Sequence, residues 1–172
     1  MHLIPGVDDG ADSMKMSLEM IRLAREQGVR TIFCTPHDIG YRGKAEEVGK
    51  RFLELRDVCA DTFPEIRLYK GCELYCNLYK MESNFEYLAD GTYPTMNGTG
   101  YVLTEFPIRE LRFAQIREMC AQLREHGLTP ILAHTERFHE VIEEIDNVAL
   151  LKEMGCLVQV NACSLAEEAD PA

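Results

Sequence analysis

Polar side chains stand directly behind short apolar runs at several places along the chain. TIFCTP leads into His37, IRLYKGC into Glu73, and YVLTEFP carries Glu105 near its end. PILA delivers His134, with Glu136 and Arg137 just beyond, and LVQVN closes on Asn161. In parallel α/β architectures catalytic groups collect at the carboxyl ends of strands, because the loops that follow open there. Histidines and carboxylates gathered at one mouth form a mixed nitrogen–oxygen donor set, suited to Mn²⁺, Zn²⁺ or Fe rather than to Ca²⁺. Carboxylates can bridge two such ions, and bridged ions lower the pKa of a shared water toward neutrality. Arg137, three residues past His134, could fork onto a phosphate.

Each residue also has a plainer reading. His37 after Thr-Pro could be a turn or capping residue, and Glu73 a solvated strand end. Glu105, flanked by Leu103 and Phe106, would be a costly buried acid unless paired or metal-bound. Arg137 could pair with Glu136 or Glu140 on a helix face. The coincidence at successive strand ends is what favours metal chemistry. His126, just before Gly127, reads as a cation at a helix C-terminus, and His139 in an acidic stretch as a surface residue. Tyr75, Tyr79, Tyr87 and Tyr93 form no stripe and read as packing or rim rather than a substrate platform.

The elements that must position these groups recur. REQGVRTIFCTPH, REHGLTPILAHTE and KEMGCLVQVNACS each read as a helix end, a glycine, a β-rich run and then polar residues. Gly28, Gly127 and Gly155 occupy the position where helices favour a left-handed residue. Thr31–Thr35, Pro130–Ala133 and Leu157–Val160 read as strands buried on both faces, with further strands expected at Ile66–Gly71 and Tyr101–Glu105. Amphipathic stripes at Met14, Leu18, Ile21 and Ala24, at Val48, Phe52, Leu55 and Val58, and at Ile116, Met119, Cys120 and Leu123 mark helices between them. Alternating helices and single strands predict parallel βα units, and a succession of them suggests a barrel. Asn97-Gly98-Thr99-Gly100 reads as a turn before a strand, not as a nucleotide-binding loop.

The 172 residues make one domain or most of one, with no linker-like segment. A net charge of −11 leaves no basic surface for nucleic acid. No apolar run reaches the ~18 residues of a membrane helix, so no membrane insertion is expected, and seven scattered cysteines fit buried free thiols in a reducing cytoplasm. Nucleophilic alternatives fail: no cysteine has arginine six positions on, and no GxSxG elbow exists.

HLIPGVDDGADSMKMSLEMIRLAREQGVRTIFCTPH, continued through LYKGCELYC, NGTGYVLTEFP, ILAHTERF and MGCLVQVNACS, resembles the bacterial PHP-type (polymerase and histidinol phosphatase) protein-tyrosine phosphatases of capsule and exopolysaccharide operons. The resemblance runs in order over nearly the whole chain. It implies a distorted (β/α)7 TIM-like barrel over residues 1–172 as a single, partial PHP domain. It implies a multinuclear metal cluster, usually Mn²⁺, with Zn, Fe or Mg as alternatives. The implied substrate is phosphotyrosine on a partner bacterial tyrosine kinase; a homo-oligomer is left open. His2, His37, Glu73, Glu105 and His134 match metal ligands, Arg137 the arginine that holds the phosphate, and Asp9 a functional acid of the DDG segment.

Against the family pattern, a strand supplying Asp and His is expected just before His2, and a final strand with a D-x-H pair and a second arginine after SLAEEADPA. Without them the barrel is expected to be incomplete at its first and last strands, leaving exposed edges and weak metal binding. A catalytically impaired PHP domain serving as a binding module is therefore one alternative, and a PHP phosphatase for a small phosphomonoester such as histidinol phosphate another. The DDG and HTERF stretches favour the tyrosine-phosphatase branch.

Overall fold

The structure, a computed structural model, describes residues 1–109 and 111–165. The AEEADPA segment, after which the last strand of the family pattern was expected, lies outside the described residues. The chain divides into two compact units, one of residues 1–74 and 84–99, the other of residues 75–83 and 100–172.

The first unit starts with a looped segment ahead of helix α1 (Met14–Glu26), followed by β1 (Thr31–Cys34), α2 (Ala45–Thr62) and β2 (Arg67–Lys70). Ser13 caps α1 by accepting the Met16 N–H, which satisfies one of the donors that a helix start leaves open. Gly28 ends the helix at φ +89°, in the left-handed region that a residue with Cβ enters only under strain. Strands β1 and β2 pair in parallel, Ile32 opposite Leu68 and Cys34 opposite Lys70. The ladder continues beyond them, through Gly71 N–H to Cys34 O and Glu73 N–H to Pro36 O. Ile21, Ile32, Cys34, Val48, Phe52, Leu55 and Leu68 fill the core, each large side chain contributing about 1.5–3 kcal/mol by leaving water. The α2 stripe ends on Cys59, 1% exposed, rather than on Val58, 37% exposed: the turn of the helix carries position 58 off the inner face.

Two expected strands need correction. The run Leu157–Val160 is strand only over Leu157–Val158, and Leu157 and Val160 are 47% and 42% exposed rather than buried on both faces. The run Ile66–Gly71 stops at Lys70, and a further strand, β3 (Glu73–Tyr75), follows after Gly71 and Cys72. Glu73 therefore belongs to a strand of its own and forms a parallel bridge with His37. Helix α3 (Met81–Ala89), without a clear stripe in the sequence, comes next.

In the second unit β4 (Tyr101–Glu105), α4 (Phe113–Glu125), β5 (Thr129–Leu132), the short α5 (His139–Ile142), α6 (Asp146–Glu153) and β6 (Leu157–Val158) follow in order. Strands β4, β5 and β6 lie side by side and parallel, Val102 against Pro130 and Leu132 against Val158. Pro130 has no N–H to give, but the neighbouring bond from Thr129 N–H to Gly100 O holds the register. Ile116, Met119, Cys120 and Leu123, all at or below 1% exposure, form the inner face of α4 as their spacing predicts. Gly127 and Gly155 follow their helices at φ +75° and +81°. Asn97 at φ +54° places the NGTG stretch in a turn ahead of β4. His126 caps α4, and the His139 side chain is 56% exposed. Of the seven cysteines, six are buried free thiols and Cys163 is exposed. No helix among the described residues is long and apolar enough to cross a membrane.

Candidate metal centre

The segment before α1 folds back on itself. Ala11 N–H donates to His2 O, Gly6 N–H to Ala11 O, and Thr35 N–H to Met1 O, so residue 2 runs beside the end of β1. Gly10 is pressed on His2: a Cβ there would stand 2.2 Å from His2 O and 2.3 Å from His2 Cβ. From α2, Arg51 reaches up to the turn and donates to Pro5 O at 2.8 Å and Gly6 O at 3.0 Å. The turn is thus clamped at both ends, and its tip carries Asp8 and Asp9.

The two aspartates differ. The Asp8 side chain is 3% exposed and Asp9 is 79% exposed. Asp8 accepts from the His37 N–H at 2.9 Å and the Gly10 N–H at 3.2 Å, and meets His2 Nδ1 at 2.6 Å. Asp9 Oδ1 lies 3.8 Å from His2 Nδ1 and 3.6 Å from His37 Nε2. His2 Nε2 is 2.9 Å from Glu73, whose side chain is 4% exposed, and His37 Nδ1 is 3.9 Å from the same oxygen. The two imidazoles lie with ring centres 4.7 Å apart. One ligand atom from each of His2, Asp8, Asp9 and His37 falls within 4.8 Å of the others.

Electrostatics follow from that packing. The hydrogen bond to Asp8, then the one to Glu73, pushes the His2 imidazole up to about 9. Burial works to raise the Asp8 carboxyl, but the bonds from His2 and from the His37 N–H outweigh it and leave the group below its ordinary value. Two nearly buried carboxylates and an exposed third around two imidazoles call for a positive charge. A divalent cation meets that need with the hard oxygen and borderline nitrogen donors on hand, so the residues fit such an ion.

In the second unit Glu105, the last residue of β4, and His134, just after β5, meet at 3.3 Å between Oε1 and Nε2. Glu105 is 21% exposed in its side chain, less enclosed than its apolar neighbours suggested. The His134 ring packs edge-on against Phe138, with centroids 5.8 Å apart. Its backbone is left-handed, φ +34° and ψ +51°, a conformation that costs a non-glycine residue roughly 1–2 kcal/mol. Arg137 closes the turn Thr135–Arg137 and is exposed. Neither expected helix-face partner engages it: Glu136 accepts from Asn161 N–H and Ser164 Oγ, and Glu140 from Phe113 N–H.

The structure thus gathers His2, Asp9, His37 and Glu73 in one unit and pairs Glu105 with His134 in the other. Sequence reasoning missed Asp8, the better-buried half of the DDG pair. The Asp-x-Gly spacing was the available signal, because an aspartate commonly accepts the backbone N–H two residues on.

Parallel βα units with imidazole–carboxylate groups gathered near strand ends form a frame able to hold divalent ions. The family model described as "Capsular polysaccharide synthesis, CpsB/CapC" matches residues 1–170, and the chain belongs to that family. It is 32% identical to the tyrosine-protein phosphatase YwqE of Bacillus subtilis over 96% of its own length and 64% of that protein's. Its identity to the tyrosine-protein phosphatase CpsB of Streptococcus pneumoniae is 29%, covering 94% of this chain and 65% of that one. A solved structure, from crystallographic work on YwqE and CpsB as metal-dependent tyrosine phosphatases, superposes with a TM-score of 0.72 at 30% identity. It covers 95% of this chain, which spans 65% of that chain. The chain therefore spans just under two thirds of the length of these relatives.

Proposed function

We propose that the chain is part of a metal-dependent protein-tyrosine phosphatase that hydrolyses phosphotyrosine on a bacterial tyrosine kinase controlling capsular or exopolysaccharide synthesis. The observation that carries this reading is the set of ligand atoms on His2, Asp8, Asp9 and His37 within 4.8 Å of one another, in a family whose named relatives are tyrosine phosphatases. We assign His2, His37, Glu73, Glu105 and His134 as metal ligands, with Asp8 orienting His2 through Nδ1 and the His37 backbone through its N–H. Mn²⁺ is the proposed metal, and the βα units are read as belonging to the distorted (β/α)7 frame of a single PHP domain working in the cytoplasm.

Bound divalent ions supply Lewis acidity and an acidified water. The chain's own contribution is positioning and charge. His2 is fixed between two carboxylates, His37 is held by its own N–H to Asp8, and Arg137 is free of its sequence neighbours to fork onto the phosphoryl oxygens. Asp9, at the exposed edge of its group, is assigned the proton delivered to the departing tyrosyl oxygen. Overall the P–O bond to tyrosine breaks, a water oxygen takes its place on phosphorus, and one proton passes to the phenolate.

The test is Mn²⁺-dependent release of phosphate from a phosphotyrosine peptide. Arg137→Ala should lower kcat/KM about 10²–10³-fold, the scale of losing a transition-state donor, with metal content unchanged. Glu105→Gln should lower bound metal in elemental analysis. Phosphate release that ignores Mn²⁺, or full metal content in Glu105→Gln and His37→Ala alike, would defeat the assignment.

A further inference from the structure

A glutamine in the middle of LVQVN is out of place in a run that reads as buried strand, because a polar amide there needs partners on both of its ends. Both ends are engaged. The backbone of Gln159 extends the β5–β6 pairing by one step, its N–H donating to Leu132 O and its carbonyl accepting from Thr135 N–H, each at 2.9 Å. That fixes the origin of the side chain beside the segment after β5. Gln159 Oε1 accepts the backbone N–H of His134 at 2.6 Å, and Gln159 Nε2 donates to Asn161 Oδ1 at 3.0 Å. Asn161 is held in turn, its N–H donating to Glu136 Oε1 at 3.3 Å, where Ser164 Oγ also donates at 2.9 Å. The sequence leaves β5, passes His134 and Glu136, and is tied back on itself through a chain of side-chain amides and a carboxylate.

His134, at the end of this chain, has a left-handed backbone at φ +34°. A non-glycine residue stays there only when its surroundings over-determine the conformation. Within the described residues, the Gln159 amide is what captures the re-aimed His134 N–H. An amide does both jobs, whereas a carboxylate could accept from His134 but could not donate to Asn161.

We propose that Gln159 is a positioning residue: it holds the His134 backbone in the left-handed conformation that aims the imidazole at Glu105 and at the metal. The inference rests on the reading of His134 as a metal ligand. Outer partners of ligands typically change metal affinity about 10–100-fold.

The test uses the full chain as parent, Gln159→Leu, Gln159→Glu, Asn161→Ala and His134→Ala. Mn²⁺ affinity is read by electron paramagnetic resonance of the free ion, and exchange of the His134 amide proton is followed by NMR without metal. Gln159→Leu should bind Mn²⁺ at least about tenfold more weakly and lose protection of the His134 amide. Gln159→Glu, which keeps the acceptor, should retain protection and fall between parent and leucine variant in affinity. Asn161→Ala should show a smaller loss of both. If Gln159→Leu binds Mn²⁺ like the parent while His134→Ala binds weakly, the positioning role is overturned. If His134→Ala itself binds like the parent, the ligand reading fails instead, and an amide still protected in Gln159→Leu overturns the positioning role as well. Should Gln159→Leu not fold, loss of protection in Gln159→Glu would overturn the role, and retained protection with the graded loss in Asn161→Ala would support it.

Discussion

The two units solve the same problem, holding an imidazole next to a carboxylate, in different ways. In the first, the backbone is ordinary and the charges do the holding: His2 is caught between Asp8 at 2.6 Å and Glu73 at 2.9 Å, and Asp8 is fixed by two backbone N–H groups. In the second, the imidazole–carboxylate contact is looser, 3.3 Å, and the backbone of His134 is bent out of its preferred region and tied down by a neutral amide. A charge-held group is sensitive to removal of either partner and to pH. A backbone-held group is sensitive to the tether and tolerant of changes at its own side chain.

The largest contrast is expected at the paired aspartates. Asp8→Ala strips a nearly buried acceptor from His2, from the His37 N–H and from the Gly10 N–H, and should destabilise by about 2–4 kcal/mol. Asp9→Ala, at an exposed site, should change stability by less than about 0.5 kcal/mol. Urea denaturation midpoints measure both, and equal losses would erase the distinction between them.

Next comes the glycine beside His2. Gly10→Ala drives a Cβ into His2 O and His2 Cβ, so it should lose roughly 1–3 kcal/mol and displace the histidine. Gly127→Ala in the second unit meets nothing within 4 Å and carries only the strain of its positive φ, roughly 1 kcal/mol. Thermal melts of the two variants, compared at equal protein concentration, give the order.

A smaller and opposite effect is expected at the bent histidine. Asparagine tolerates the left-handed region better than histidine does, so His134→Asn should leave metal-free stability within about 0.5 kcal/mol of the parent or above it. His2→Asn should lower it. A fall for His134→Asn as large as that for His2→Asn would show that side-chain contacts, not the backbone, dominate at position 134.

The subtlest signature is in pH. His2 stands at about 9 in the folded chain against 6.5 unpaired, so without metal its pairing contributes fully below about pH 6.5 and is lost as pH rises through 9. Asp8, held below its ordinary value, acts in the opposite sense, contributing above the usual aspartate range and losing its effect as pH falls through the lowered value. Metal-free stability should therefore decline between pH 6.5 and 9, and Asp8→Asn should flatten that decline; a parent curve without slope there would remove the charge-held description of the first unit.

Much of this was legible in the residues alone. Helix-ending glycines, strand runs and the α4 stripe emerge from local chemistry: a left-handed residue after a helix, β-rich runs too short for helices, apolar side chains three and four apart. So do the chemistry-bearing residues, because polar groups behind apolar runs mark strand ends. What escaped was context-dependent. Asp8 and Asp9 are the same residue type side by side, and only the fold of the turn against His37 buries one and exposes the other. Glu73 could be read as a solvated end of the strand before it, yet after Gly71 and Cys72 its backbone resumes pairing beside His37 and its side chain is 4% exposed. Nothing local in LVQVN shows that the Gln159 amide reaches the His134 N–H.

By itself the sequence determined which residues are available for metal chemistry, in what order, and on which kind of parallel βα frame, since composition and periodicity act over a few residues. Only the tertiary structure decided which carboxylate pairs with which imidazole, which aspartate is desolvated, and that His134 is bent and held by Gln159. Those outcomes depend on contacts between segments far apart in the chain, where burial and hydrogen-bond geometry, rather than residue type, set the energy.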